Sequence, residues 1–401
     1  MDDGSGSEAE EMRLPLGQRP EWADVSPLEV DDGNCVVAVQ YSDEHRAALS
    51  YLRAVLASGE KSARVLELTA EMIEYNQADY TAWQLRWLCV EALGADLESE
   101  EAMTDRVLHD NAKNYQLWNY RRKVALKRGP SCLRRELDFI ARALELDDKN
   151  YHAWSHRNAV VAGFAAWDGE LEFVDTCLKK DLRNNSAWQH RAVVVAALLA
   201  ADAGAAAAST GEGGVRAAVK TVIQRELFYT SALIAKAPRN ESAWNYLLGL
   251  FALPGCAKHE MAQWPQIHQV CLDALAAVPS CPPALWALAD FYACIAEAAA
   301  EHVRQLYDRG PSSVDSEPAV PPDLGPGVAA LHAAVNNACL LLDGLTMADP
   351  IRSMYWVHRH QQLQRLAGGW QALDVGVEEG GGGDAAGAAG AGDGMQDAMQ
   401  D

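Results

Sequence analysis

Lys113-Asn-Tyr-Gln-Leu-Trp-Asn-Tyr-Arg-Arg122 and Lys149-Asn-Tyr-His-Ala-Trp-Ser-His-Arg157 are two copies of one phrase, and a shorter form of it runs through the chain. An Asn or Asp stands four residues before a Trp in five pairs: Asp79 and Trp83, Asn114 and Trp118, Asn150 and Trp154, Asn184 and Trp188, Asn240 and Trp244. The tryptophans are 35, 36, 34 and 56 residues apart. Self-similarity at such a period marks a repeat array. The long interval is one period plus an Ala/Gly-rich insertion at about 200–215, expected as a surface loop or an extended helix end.

Each phrase reads as a helix start. Asn and Asp are favoured caps because their side-chain oxygen accepts from first-turn amides, and Trp then falls on the second turn. Between phrases lies a second amphipathic helix: Leu133, Leu137, Ile140 and Leu144 follow helical spacing, with Arg134, Arg135, Glu136 and Asp138 off that stripe. Two helices per repeat make an αα-hairpin, and hairpins in series stack into a solenoid. The recurring Trp83, Trp118, Trp154, Trp188 and Trp244 are read as its core. Weaker continuations surround Trp286 and Trp356, separated by a Pro/Ser-rich loop at about 308–327.

The 401 residues carry 34 basic and 56 acidic side chains, a net charge of −22 that argues against a general nucleic-acid binder. Residues 1–12 hold five carboxylates and residues 377–401 hold six with no Lys or Arg. The segments 1–20 and 377–401 are expected to be disordered tails around a repeat domain at 21–376. The longest uninterrupted apolar run, Ala192 to Ala201, is short of a membrane span, so a soluble, non-membrane protein is expected. The nine cysteines are scattered without a C-x-x-C pair, as expected of reduced cytoplasmic thiols. His152, His156 and His190 lack ligand partners at helical spacing, so no metal site is expected in this chain.

A cation precedes four of the five caps: Lys113, Lys149, Arg183 and Arg239. Stacking would set these along one rim with the positive ends of the helices, an arrangement suited to an anion, or each would complement the C-terminus of the helix before it. Tyr115, Gln116, Tyr151 and His152, polar groups on the first turn, favour the anion site around Lys113 and Lys149. Arg86, Arg121, Arg157 and Arg191 follow their tryptophans by three residues and would meet either a neighbouring carboxylate or carbonyl, or a ligand. No nucleophile motif, phosphate loop or paired carboxylates appear, and the chain looks catalytically incomplete alone.

These ordered phrases resemble the repeats of protein prenyltransferase alpha subunits, and most of all the form shared by protein farnesyltransferase and protein geranylgeranyltransferase type I. Glu21-Trp22-Ala23-Asp24, Tyr41-Ser42-Asp43 and the segment from Tyr51 to Leu56 are similar to that subunit's sequence before its first repeat, and the likeness spans about residues 20–300. The resemblance implies an all-α, right-handed superhelical crescent, an α-solenoid, wrapped around a separate beta subunit that holds zinc and most of the isoprenoid pocket. It implies transfer of a farnesyl or geranylgeranyl group from the prenyl diphosphate to the cysteine of a C-terminal C-a-a-X motif, with Mg2+ assisting the farnesyl reaction, in the cytoplasm. By position Lys113 matches the family's lysine at the diphosphate, Tyr115 and Gln116 the tyrosine and glutamine after it, the glutamine reading the substrate's terminal carboxylate. Tyr80 matches a tyrosine facing the active site, and Asn150, Tyr151 and His152 a cluster near the diphosphate; Asn114 and Lys149 complete the candidate binding set. Two other readings are a Rab geranylgeranyltransferase alpha subunit, which shares the repeat, and a tetratricopeptide-like scaffold, whose Trp, Leu-Gly, Tyr and Pro stand at other offsets.

Overall fold

The computed structural model describes residues 14–29, 36, 39–308, 324–368 and 370, which form two compact units, residues 1–256 and 257–401. Among the described residues there are helices and turns and no strand. Residues 1–13, the tail at 377–401 and residues 309–323 of the Pro/Ser-rich loop lie outside the described residues.

The first unit runs through α1 (Asp43–Ser58), α2 (Ala63–Tyr75), α3 (Tyr80–Leu93), α4 (Leu97–Asp110), α5 (Tyr115–Arg128), α6 (Leu133–Leu146), α7 (Tyr151–Gly163), α8 (Glu170–Lys180), α9 (Asn185–Lys236) and α10 (Glu241–Gly249). The five Trp phrases open α3, α5, α7, α9 and α10, as the cap reading expects. The Oδ1 atom of Asn114 accepts from the amides of Gln116 at 2.9 Å and Leu117 at 3.1 Å, and that of Asn150 from His152 at 2.9 Å and Ala153 at 3.2 Å. Asp79, Asn184 and Asn240 cap their helices the same way. At the opposite end of α3, Gly94 takes φ 62°, a left-handed conformation that glycine adopts without strain.

The stack is stapled at the phrase end. The indole Nε1 of Trp118 donates to the Ala112 carbonyl at 2.8 Å, and the Asn150 amide of the following hairpin donates to the same oxygen at 3.0 Å. Trp83 and Asn114 share the Gln77 carbonyl, Trp154 and Asn184 share that of Asp148, and Trp188 and Asn240 share that of Leu182. The five tryptophans are at most 4% exposed, and the two donors on each oxygen tie every hairpin to the next.

A second network lies inside. Arg86, Arg121, Arg157 and Arg191 are buried and pair with Glu100, Glu136, Glu170 and Glu226, the closest contacts being 2.7, 2.7, 2.6 and 2.7 Å. These arginines therefore meet carboxylates within the array. Each glutamate is also reached from the Trp helix that follows it, by Tyr120 at 2.5 Å, His156 at 2.7 Å, His190 at 2.6 Å and Tyr246 at 2.7 Å. Three of the guanidinium groups lie over a ring of Phe139, Phe173 or Tyr229 at 3.6, 3.4 and 3.6 Å. Glu136, expected off the buried stripe, is 0% exposed. Apolar periodicity cannot register a carboxylate whose partner arrives from another helix.

Three expectations change in detail, and for the insertion the extended-helix alternative holds. Residues 14–20 are ordered: Leu16 and Trp22 are buried in short 3-10 turns, and Arg19 reaches Glu71 at 2.5 Å. The insertion is helical on both sides, so α9 comprises two limbs broken at Gly211, where φ is 66°. The second unit contains α11 (Pro265–Ala277), α12 (Pro282–Asp308), α13 (Leu324–Ala348) and α14 (Ser353–Gly368), so the loop between α12 and α13 ends before Leu324 rather than at 327. Finally, Asn185–Ser209 and Leu324–Ala348 are long and apolar enough to cross a membrane by length and composition, a property hidden when only uninterrupted runs are counted, because Asp202 and Gly204 break the first. In this structure Trp188, Arg191, Val194 and Val195 tie Asn185–Ser209 into the repeat stack, and Leu331, Val335, Ala338 and Leu342 place Leu324–Ala348 in the core of the second unit with Trp356.

Candidate functional site

The cap and staple geometry turns the first residues of α3, α5 and α7 outward along one edge of the first unit. Tyr80, Tyr115 and Tyr151 occupy the first helical position of their helices and are 71%, 65% and 71% exposed. Such exposure of three tyrosines at equivalent positions is not explained by packing. His152, half-buried, meets two of them edge-on, Tyr115 with ring centroids 5.7 Å apart and Tyr151 at 5.6 Å. Desolvation holds the His152 imidazole below its ordinary pKa, toward the neutral form. Gln116 follows Tyr115 and is also half-buried. Tyr80 and Gln116 stand apart from the His152 group: among the described residues neither side chain joins it by a hydrogen bond or ring contact.

Lys113 and Lys149 precede these helices with side chains 77% and 57% exposed. Each is paired across the repeat boundary, Lys113 with Asp147 at 3.3 Å and Lys149 with Asp181 at 2.9 Å. The hydrogen bond to Asp181 raises the Lys149 pKa, and in return Lys149 holds the Asp181 carboxyl below the usual range. These cations therefore meet a carboxylate of the following hairpin. Arg183 has Ala237 at the corresponding position of the next turn, so the ladder stops there.

Asn114 and Asn150 were expected among the ligand contacts, and their geometry assigns them elsewhere. Both are buried, with the oxygen capping a helix and the amide nitrogen bonded to the preceding repeat, at 2.5 Å for Asn114 and 3.0 Å for Asn150. With both ends of the amide engaged, they position the exposed residues that follow them. Asp147 and Asp181 escaped the sequence reading. Their one signal is an Asp two residues before a cation, at Asp147-Asp148-Lys149 and Asp181-Leu182-Arg183. Among the described residues no three His, Cys, Asp or Glu side chains gather into a metal-holding group.

A series of stapled αα-hairpins whose phrase ends present tyrosines and lysines defines a helical repeat protein with one edge set apart by those exposed side chains. The model for the protein prenyltransferase alpha subunit repeat matches residues 62–93, 97–128, 133–163, 167–198 and 223–253, pairing each Trp helix with the helix before it. The chain is 35% identical over 368 residues to the protein farnesyltransferase/geranylgeranyltransferase type-1 subunit alpha of Pisum sativum, covering 89% of this chain and 98% of that one. A subunit of the same description from Solanum lycopersicum is 42% identical over 107 residues, 26% of this chain and 31% of the relative. Among solved structures, a chain of Candida albicans protein geranylgeranyltransferase-I complexed with GGPP superposes with a TM-score of 0.62 at 25% identity, over 86% of this chain and 99% of that chain. The geranylgeranyl transferase type-2 subunit alpha of Bos taurus matches over 26% of this chain and 20% of its own length. The chain belongs to the protein prenyltransferase alpha subunit family.

Proposed function

We propose that this chain is the alpha subunit of a heterodimeric protein farnesyltransferase/geranylgeranyltransferase type I. It acts with a beta subunit to move a farnesyl or geranylgeranyl group from the prenyl diphosphate to the cysteine thiol of a C-terminal C-a-a-X motif. The full-length likeness to the pea subunit supports the type I reading over the type 2 reading, whose match is confined to about a quarter of the chain. The tetratricopeptide alternative is replaced by the matched repeat. We assign the family's zinc to the beta subunit, as the resemblance implies, and no step is routed through it. Mg2+ for the farnesyl reaction and a cytoplasmic location belong to the same proposal.

The observation that carries the proposal is the clustering of Lys113, Tyr115, Tyr151 and His152 on one exposed edge. In the transfer the bond from C1 of the prenyl chain to the bridging oxygen breaks and a sulfur–C1 bond forms, leaving the diphosphate with the electron pair. Lys113 supplies an ammonium to that growing charge, and the Tyr115 and Tyr151 hydroxyls can donate to phosphate oxygens. Gln116 offers an amide donor to the substrate's terminal carboxylate. The test is Lys113→Ala in the reconstituted heterodimer. If it meets charge in the transition state, the single-turnover rate falls by about 2–4 kcal/mol, roughly 30- to 1000-fold. A rate within about threefold of wild type would remove Lys113 from the reaction. Gln116→Ala serves as the comparison: it should raise the KM for the protein substrate and leave the rate at saturation alone.

A further inference from the structure

The ion pairs that hold the two exposed lysines are built alike. Oδ1 of Asp147 accepts from the backbone amide of Lys149 at 3.2 Å, which fixes the carboxylate in its turn and leaves Oδ2 to face the Lys113 ammonium at 3.3 Å. Oδ1 of Asp181 accepts from the amide of Arg183 at 2.8 Å, and its Oδ2 meets Lys149 at 2.9 Å. Neither carboxylate swings freely, so each offers its lysine an anion at a set bearing. The pairs differ in strength. Lys149 is hydrogen-bonded to Asp181, with the pKa of each displaced by the other, whereas Lys113 is held at the longer distance and is the more exposed lysine.

We propose that Asp147 is a built-in counter-ion of Lys113 that the diphosphate must displace, and that it thereby lowers the efficiency with which prenyl diphosphate is used. This rests on the assignment of Lys113 to the diphosphate. A phosphate oxygen brought against the Lys113 ammonium sets a second anion beside the Asp147 carboxylate and competes with it for the same charge, so that ion pair is weakened or broken whenever Lys113 engages the leaving group. Lys149, in the tighter pair, acts as the fixed rung of the ladder and Lys113 as the one that is released. Asp147 is on this account a positioning residue, acting through Lys113 without touching the substrate.

Asp147→Asn isolates the effect, because an Asn Oδ1 can still accept from the Lys149 amide while the charge facing Lys113 is removed. The readout, on the reconstituted heterodimer, is the single-turnover rate divided by the dissociation constant for prenyl diphosphate, at low ionic strength. Asp147→Asn is expected to raise it about two- to fivefold, the value of one exposed ion pair, and to lose most of that gain at high salt. Partial unfolding would lower the quotient, so the sign itself separates the proposal from a structural role. Asp148→Asn makes the same net-charge change one residue away and should leave the quotient unchanged. In a Lys113→Ala background the gain from Asp147→Asn should vanish. Equal gains with and without Lys113, an equal gain from Asp148→Asn, or no gain at all overturns the counter-ion role while leaving the Lys113 assignment standing. If Lys113→Ala by itself changes neither rate nor affinity, it is that assignment which fails.

Discussion

Removing Glu136 strands a buried guanidinium, and the cost can be bounded from its surroundings. Glu136 is 0% exposed and takes Arg121 at 2.7 and 3.0 Å and His156 at 2.7 Å. Breaking one side of a buried pair typically costs about 3–5 kcal/mol because the remaining charge is uncompensated. Arg121 would keep Thr104 at 3.0 Å, its contact with Asp105, and Glu101 at 3.7 Å, so Glu136→Ala is placed at the lower end, about 3 kcal/mol. For a cooperative unit of this size that is roughly 6–12 °C in Tm. The measurement is thermal unfolding of the heterodimer followed by tryptophan fluorescence, since Trp118 packs at a tilt against His156, with ring centroids 5.5 Å apart, and His156 is one of the groups that Glu136 holds. The pair Arg121→Met with Glu136→Leu should recover about half the loss, because the guanidinium that loses its partner with Glu136 is removed as well. A loss below about 1 kcal/mol for Glu136→Ala, or a double variant no better than the single, would refute the claim that these pairs fix the stack.

Asn150→Ala should lose a helix cap of about 1 kcal/mol and an inter-repeat hydrogen bond of about the same size, while Asn150→Asp keeps the cap but turns a buried carboxylate oxygen on the Ala112 carbonyl and should cost at least as much as that bond, as read by the urea midpoint. The pH response has a defined sign at His156. Burial holds this imidazole below its ordinary 6.5 against the opposing pull of Glu136, and among the described residues its Nδ1 has no hydrogen-bond partner, so the folded protein keeps it neutral while the unfolded chain takes a proton. Its contribution is therefore intact above pH 6.5 and is lost as pH falls below that value, with a limiting slope of about 1.4 kcal/mol per pH unit. His156→Tyr installs the residue found at the equivalent Tyr120 and Tyr246, and should flatten the stability slope between about pH 6.5 and 5. An unchanged slope would assign the acid sensitivity to other groups.

The helix starts were legible in the chain because capping is local: an Asn, two or three amides and a Trp lie within one turn of each other. The period then specified the stack. What could not be read are the contacts made between helices. Glu136 looked solvent-facing because its arginine is on the preceding helix and its histidine on the following one. The same nonlocality concealed Asp147 and Asp181, which matter only once repeats are side by side. Asn114 and Asn150 illustrate a different ambiguity, since one amide can cap a helix, staple a neighbour or face a ligand, and only the burial of both its ends decides. The insertion was ambiguous for a compositional reason. Alanine favours helix, while Gly211, Gly213 and Gly214 oppose it, and the structure resolves this by concentrating the break at Gly211.

The double-donor carbonyls at Gln77, Ala112, Asp148 and Leu182 all lie at the phrase ends of the hairpins, together with the exposed tyrosines and lysines. The opposite turns, at Gly94, Gly129, Gly169 and Gly211, contain none of these atoms. One margin of the array is thus registered residue by residue, and the other is free to vary in length. Chain added at the free margin lengthens two limbs of a hairpin without shifting the next Asn relative to its carbonyl, and the extended limbs of α9 are an instance. Evolution can enlarge this protein from one side, gaining new surface there, without retuning the chemistry on the other.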